Sequence, residues 1–171
     1  GPHTRAALDL SQQISRMLYE GTRGNPRQIK RFLNTLLLRQ DIAEERGFGA
    51  DIDRAVLAKL MLAERFETAF YEELAREVGV TSDGIAPSIA EGERPKDAAA
   101  AETPRDRAEN AREEWIERWH ALRPPLAKVD LRQYFFLTRD KRMFVPGLSG
   151  SEVLDSLVDR LMGTEVAVRT A

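Results

Sequence analysis

Apolar side chains recur at helical intervals along most of this sequence. The clearest run follows the i, i+3, i+4, i+7, i+8 spacing of one helix face, with Ile29, Phe32, Leu33, Leu36 and Leu37. This run predicts a helix from Asn25 to about Arg46, with Gly47 as its terminator. The same spacing occurs upstream at Leu10, Ile14, Met17 and Leu18. It predicts a first helix over residues 4 to 20.

A third helix is predicted from Asp51 or Asp53, either of which is a good N-cap, to about Glu77. Its apolar stripe consists of Leu62, Phe66, Phe70 and Leu74. Gly79 follows the stripe as a terminator. We therefore expect one long helix in this part of the chain.

Two more helices are predicted in the second half of the chain. The first covers residues 108 to 122 and stops before a Pro-Pro pair. One of its faces carries Trp115, Ile116 and Trp119. The second begins at the capping-box pair Ser149 and Glu152 and ends at Gly163.

Two stretches do not follow the helical period. Residues 81 to 107 are rich in Ser, Gly, Pro, Ala and charge, and Ile85 and Ile89 are their only sizeable apolar residues. So polar a composition does not offset the entropy of ordering the chain, and we expect a flexible insertion there. The run LRQYFFLT at residues 131 to 138 fits neither period, so a short strand and a buried helical turn both stay open.

Together these patterns predict an all-α fold, a compact bundle of about five helices with a flexible insertion and room for one short strand. Residues 4–80 form its first helical part, 81–107 the linker, and 108–171 a C-terminal helical part of the same domain. The opening residues 1–3, Gly-Pro-His, resemble what a protease leaves after removing a purification tag, so they are set aside.

The charge balance and composition narrow the classes of function. The chain has 26 basic and 28 acidic residues, a formal net charge of −2 and a pI near 5.8, so binding to nucleic acid would need a local basic patch. It contains no cysteine and only two histidines, which leaves few metal ligands. No segment is apolar for long enough to span a bilayer, and we expect a cytoplasmic protein without membrane contact.

No known catalytic set is complete in the sequence. The phosphate loop, the dinucleotide-binding glycine pattern, the nucleophile elbow and the zinc-protease helix are all missing. His120 stands beside Trp119 near a predicted helix end, where a structural role is favoured over catalysis. Adjacent carboxylates such as Glu72 and Glu73 point in different directions on a helix and cannot share a substrate atom.

The stretch GNPRQIKRFLN at residues 24 to 34 carries the most distinctive chemistry. Asn25 is a good N-cap and Pro26 suits the first helical position. The cations that follow are Arg27, Lys30 and Arg31. Cations normally avoid the positive end of a helix dipole, whereas free amides, the dipole and a guanidinium together favour a phosphate. A surface arginine that tolerates a mild penalty is the simpler alternative.

GNPRQIKRFLN closely resembles the segment that follows the nucleotide-binding core in the KAP family of P-loop NTPases, and LAKLMLAERF and DLRQYFFLTRD are similar to later pieces of bacterial members. The resemblance implies that Arg27 is the sensor arginine of a helical lid that reaches the γ-phosphate of ATP. Gly24, Asn25 and Pro26 would aim its helix. Lys30 and Arg31 match cationic positions of the motif, with either a phosphate or an acidic side chain of the core as their partner.

The same resemblance also implies what the chain lacks. The family's phosphate-loop lysine and magnesium-binding acid are absent, so ATP and Mg²⁺ would be held by an N-terminal P-loop core, and this chain would not hydrolyse ATP alone. Bacterial relatives include ATPase components of anti-phage defence systems of the Qat type. A defence role with other defence proteins as partners is therefore implied.

Two alternatives come from other functional classes. One is an all-helical protein interaction module that binds through the Trp115 and Trp119 face or through the flexible insertion. The other is nucleic-acid binding through residues 132 to 144, where cations alternate with aromatic residues. A buried aromatic element with a charged rim is the favoured explanation of the latter pattern, and the near-neutral net charge weakens the nucleic-acid interpretation.

Overall fold

The computed structural model describes residues 12, 14–96 and 106–139, and all regular structure in these residues is helical. The elements are α1 (residues 14–22), α2 (Pro26–Glu45), a 3-10 turn (Gly49–Asp51), α3 (Arg54–Phe66), α4 (Thr68–Val80), α5 (Pro87–Gly92), α6 (Arg107–Ala121) and α7 (Arg132–Arg139). The prediction of an all-α bundle is confirmed. The segment at residues 131 to 138, left open between strand and helix, is helix α7. The predicted helix from Ser149 to Gly163 lies outside the described residues.

Helix α3 is the centre of the bundle. Eight consecutive residues, Val56 to Ala63, are buried, so this helix is covered on every side along two turns. It packs against α2, α4 and α7. Asp53 caps its start, because the side chain accepts a hydrogen bond from the Ala55 amide at 2.7 Å.

The single long helix predicted up to Glu77 is two helices, and the prediction was wrong on this point. The break is at Glu67, where the backbone turns to φ −135° and ψ 66°. The Glu67 amide still donates to the Ala63 carbonyl at 2.9 Å, which closes α3, and α4 then packs back against α3. Neither glycine nor proline marks the break, so tertiary packing decides it. Gly79 also lies within α4, which ends one residue later.

Within the predicted flexible insertion, residues 84–93 are packed against the core and residue 107 begins α6, in contrast to the prediction. Helix α5 begins there at Pro87, and its Ile89 is completely buried. The Leu131 amide donates to the Gly84 carbonyl at 2.9 Å, and the Ser88 amide donates to the Glu77 carboxylate at 3.0 Å. One buried isoleucine and a few backbone bonds therefore order a segment of polar composition. Residues 97–105 lie outside the described part.

A buried ion pair joins α3 to the segments around α5 and α6. The Lys59 side chain is completely buried, and its ammonium donates to Glu93 Oε1 at 3.1 Å and to the carbonyl oxygens of Leu122 and Pro124 at 2.9 and 3.2 Å. The ammonium also lies 4.8 Å from the centroid of the Trp119 ring. Burial lowers the pKa of Lys59, and the attraction of Glu93 opposes that shift.

A second polar cluster joins α2 to α3 and α7. The Arg39 guanidinium donates to both carboxylate oxygens of Glu64, at 2.6 and 3.0 Å, and to the Thr138 carbonyl at 3.1 Å. The hydroxyls of Tyr71 and Thr138 are 2.5 Å apart, and burial raises the pKa of Tyr71 to about 12. Both clusters fix the mutual positions of the helices around α3.

Among the described helices, none combines the length and the apolar character that crossing a bilayer requires.

Candidate functional site at the start of α2

The connection between α1 and α2 is a tight turn built on backbone of positive φ. Arg23 has φ 53° and Gly24 has φ 69°, and the Gly24 amide donates to the Tyr19 carbonyl at 2.8 Å, the pattern of a helix C-terminus closed by glycine. A Cβ atom at Gly24 would lie 2.8 Å from ring carbons of Tyr19. The left-handed backbone angle therefore favours glycine at residue 24, and the absence of a side chain there leaves room for the Tyr19 ring.

The start of α2 has the cap that the sequence predicts. The Asn25 side chain accepts a hydrogen bond from the Arg27 amide at 3.0 Å, and Pro26 occupies the first helical position. The Ile29 amide donates to the Asn25 carbonyl at 3.1 Å. Two hydrogen bonds and a fixed proline ring therefore hold the backbone from which Arg27 projects.

The three cations of the motif are exposed to solvent. Within the described part of the chain, Arg27, Lys30 and Arg31 have no hydrogen-bond or ion-pair partner for their side chains, and the first turn of α2 contains no acidic residue. Residues three and four apart are neighbours on a helix surface, so Lys30 and Arg31 both lie next to Arg27 on the following turn. The structure brings the predicted site residues together as one exposed, uncompensated basic group.

Backbone amides contribute less to this site than the sequence suggests. Pro26 has no amide hydrogen, and the Arg27 amide is occupied by the Asn25 side chain. Of the first three helical residues, only Gln28 keeps an amide without an acceptor among the described residues. An anion at this end of α2 would therefore be held mainly by side chains, in the favourable field of the helix dipole.

The face proposed for an interaction module is largely covered. Trp119 is completely buried, and its ring nitrogen donates to the Lys59 carbonyl at 2.7 Å. Trp115 is partly buried and packs against the core. The tryptophans anchor α6 to the bundle, which removes them as a free docking surface.

His120 lies in the same packed region. Its ring is 5.7 Å from the Phe70 ring and fills the space beside Gly92, where an added Cβ would be 2.2 Å from His120 Nε2. Burial, followed by the charge of Lys59, lowers the pKa of His120. The imidazole thus packs between α4, α5 and α6, in line with the structural role favoured by the sequence.

The basic and aromatic segment around α7 uses its groups internally. Tyr134 and Phe135 are buried, as the simpler interpretation of the sequence requires. Arg132 pairs with Asp130 at 2.5 Å, and Arg139 pairs with Glu72 at 3.2 Å. Only Phe136 of these aromatic residues is exposed. The cations and the aromatic residue predicted at positions 141, 142 and 144 lie outside the described residues.

Sequence reasoning missed two features that bear on function. One is the buried Lys59, which lies in an apolar run and leaves no signal except its position. The other is the exposed pair Tyr19 and Arg23 next to the predicted site. The sequence does contain a signal for the second feature, since no acidic residue occurs between Glu20 and Asp41.

Comparisons with known proteins find no family model, no curated protein and no solved structure that matches this chain. Any function assigned to the chain therefore depends on its own residues and their geometry.

Proposed function

We propose that this chain is the helical lid of a KAP-type P-loop ATPase and that Arg27 senses the γ-phosphate of ATP bound to a separate nucleotide-binding core. The observation that carries the proposal is the presentation of Arg27. Its backbone is held by the Gly24 turn and the Asn25 cap, while its guanidinium is exposed and has no partner among the described residues. The identity of the ligand, the γ-phosphate of ATP, is inferred from the resemblance of the surrounding motif to the KAP family.

The mechanism is conformational. A guanidinium can form two parallel, charge-assisted hydrogen bonds with a phosphate, so Arg27 gains a partner only while the γ-phosphate is present. Binding of ATP closes the lid on the core, and hydrolysis with loss of phosphate releases it. Lys30 and Arg31 strengthen the closed state by contacting either phosphate oxygens or acidic side chains of the core.

The lid depends on the core for the metal and for the chemistry. The described residues include no group of three or more His, Asp or Glu side chains that could hold a metal ion. The sequence has no phosphate loop. Mg²⁺ and the remaining phosphates are accordingly assigned to the core, where Mg²⁺ would neutralise charge on the transferred phosphoryl group.

A partner that contacts the lid would detect the nucleotide state as a change in lid position. The family resemblance favours other proteins of a bacterial anti-phage system as these partners, in the cytoplasm. Arg39 and Glu64 tie α2 to α3, so a movement of α2 carries the bundle with it.

ATP hydrolysis by the protein that contains both lid and core tests the role of Arg27. We expect Arg27→Ala to reduce turnover at least about tenfold, the effect of losing one strong charge-assisted contact. Arg27→Lys keeps the charge but not the planar guanidinium, so its turnover should lie between that of the unchanged protein and that of Arg27→Ala. Arg94→Ala, which removes an exposed arginine beyond α5, is the matched control and should leave turnover unchanged. Unchanged turnover in Arg27→Ala would rule out the sensor role.

A further inference from the structure

The charges of the described surface are unevenly distributed. Between Glu20 and Asp41 the chain has five cations and no acid, although its net charge is −2. Arg39 is buried and paired with Glu64. The other four cations are exposed and have no side-chain partner among the described residues: Arg23, Arg27, Lys30 and Arg31. Their positive charge is therefore directed to solvent.

The nearest acid does not neutralise this group. Glu20 accepts from Arg16 at 3.1 Å and from Arg118 at 2.6 Å, so one carboxylate is shared by two arginines. The end of α1 thus carries a local excess of positive charge of its own. The dipole of α2 adds a further positive partial charge at its first turn.

An exposed aromatic ring lies next to these cations. Tyr19 is 61 % exposed, and its ring lies against the backbone at Gly24, where there is no side chain to separate them. Gly24, the residue that the ring covers, lies between Arg23 and Arg27 in the chain. The exposed part of the ring is open to a planar group that stacks on it.

We propose that this α1–α2 basic surface, formed by Tyr19, Arg23, Arg27, Lys30 and Arg31, binds single-stranded nucleic acid. The cations would contact successive phosphates, and Tyr19 would stack with a base. An unpaired base is required for that stacking, which favours single strands over duplex. The α7 segment, where the sequence first suggests nucleic-acid binding, has paired cations and mostly buried rings, so the binding surface is at the other end of α2.

This inference does not rest on the proposed nucleotide role of Arg27. Binding is measured with the 171-residue chain without any ATPase core, and the test variants keep Arg27 intact. Failure of one proposal therefore leaves the other standing.

Fluorescence anisotropy with a labelled oligothymidine of about 20 nucleotides tests the proposal. If four phosphates are neutralised, the logarithm of the binding constant should fall with the logarithm of salt concentration with a slope of about −3 between about 50 and 200 mM. Lys30→Gln with Arg31→Gln should reduce the slope to about −1.5 and weaken binding at least about tenfold. Tyr19→Leu, which keeps an apolar group over Gly24, should weaken binding roughly tenfold without changing the slope.

The matched control is Arg94→Gln with Lys128→Gln, which removes the same charge from exposed residues outside this surface and should leave affinity unchanged. Thermal unfolding followed by circular dichroism verifies that each variant is folded. The proposal is overturned if the oligonucleotide does not bind at about 50 mM salt, or if the control weakens binding as much as the test pair. It is also overturned if duplex DNA or polyglutamate competes equally and Tyr19→Leu has no effect, because the surface would then select only charge or an acidic protein segment.

Discussion

At the scale of single residues, Lys59 departs most clearly from the rule that charged side chains stay in water. Its ammonium group has three hydrogens and three oxygen acceptors, contributed by Glu93, Leu122 and Pro124. Glu93 is in turn bonded by the amides of Leu126 and Ala127 at 2.8 and 3.0 Å. Both charges are fully compensated, so the pair links α3 to the segments that follow α5 and α6. A buried pair of this kind becomes costly when one member is removed.

Neutralising Glu93 should therefore destabilise the fold strongly. Glu93→Gln leaves the Lys59 charge without its counter-ion. The new side-chain NH₂ group would also face Lys59 or a backbone amide, which are themselves donors. We expect a loss of about 3 kcal/mol or more in the free energy of unfolding, measured by urea denaturation at neutral pH.

The matched control is Glu117→Gln, which breaks the exposed pair with Lys96. This exposed pair should contribute less than about 1 kcal/mol. Equal, small losses in the two variants would show that the buried pair is not stabilising the packing around α5 and α6.

At the scale of elements, the start of α2 is defined by local chemistry and its middle by packing. Gly24 and Asn25 fix where the helix begins, independently of the core. Further along, Arg39 and the buried Phe32 and Leu36 fix its rotation. The backbone of the first turn is therefore held in place even though the Arg27 side chain has no hydrogen-bond or ion-pair partner in the described part of the chain.

Removing the Asn25 cap of α2 should lower ATP turnover, whereas removing an equivalent cap elsewhere should lower only stability. Asn25→Ala deprives the Arg27 amide of its acceptor and should cost about 1 kcal/mol. Asp53→Ala removes the equivalent cap of α3 at a similar cost in unfolding free energy. We expect only Asn25→Ala to reduce ATP turnover in the protein that contains lid and core, because only this cap orients Arg27. Equal turnover of the two variants would contradict the positioning role of Asn25.

Local capping chemistry and tertiary packing also explain which elements can be predicted from the sequence. The start of α2 has an explicit cap signal, and α6 has a strong apolar face between clear breakers, so both were predicted closely. The break at Glu67 has no local signal, because its cause is the packing of α4 on α3. The order of α5 depends on the burial of Ile89 in the core and on contacts with α4 and α6, which a local composition cannot reveal.

At the scale of the whole molecule, the bundle is organised around α3, and a group of exposed cations lies at one end of α2. Helix α3 holds α2, α4 and α7 together, and the clusters at Lys59 and Arg39 cross-link the outer segments to it. Four exposed cations without a side-chain partner among the described residues lie together at one end, where α1 meets α2. Such a body can move as a unit when an anion binds at that end.

The candidate site was only partly predictable at this scale. Its cations and cap could be identified, because they are contiguous in sequence. Two facts depend on contacts across the fold: Arg27 has no side-chain partner among the described residues, and Glu20 is shared with Arg118 from α6. Burial of Trp119 likewise follows from the positions of α3 and α4, so the sequence could not choose between anchor and docking surface.

Calorimetric titration of ATP and ADP tests the central claim, the sensing of a γ-phosphate by Arg27, most directly. The titrations use this chain alone and mixed with the separately produced P-loop core. We predict no binding to the chain alone, and ATP binding by the mixture that weakens about tenfold in Arg27→Ala while ADP binding is unchanged. Identical ATP affinity of the mixture with and without Arg27 would contradict the claim.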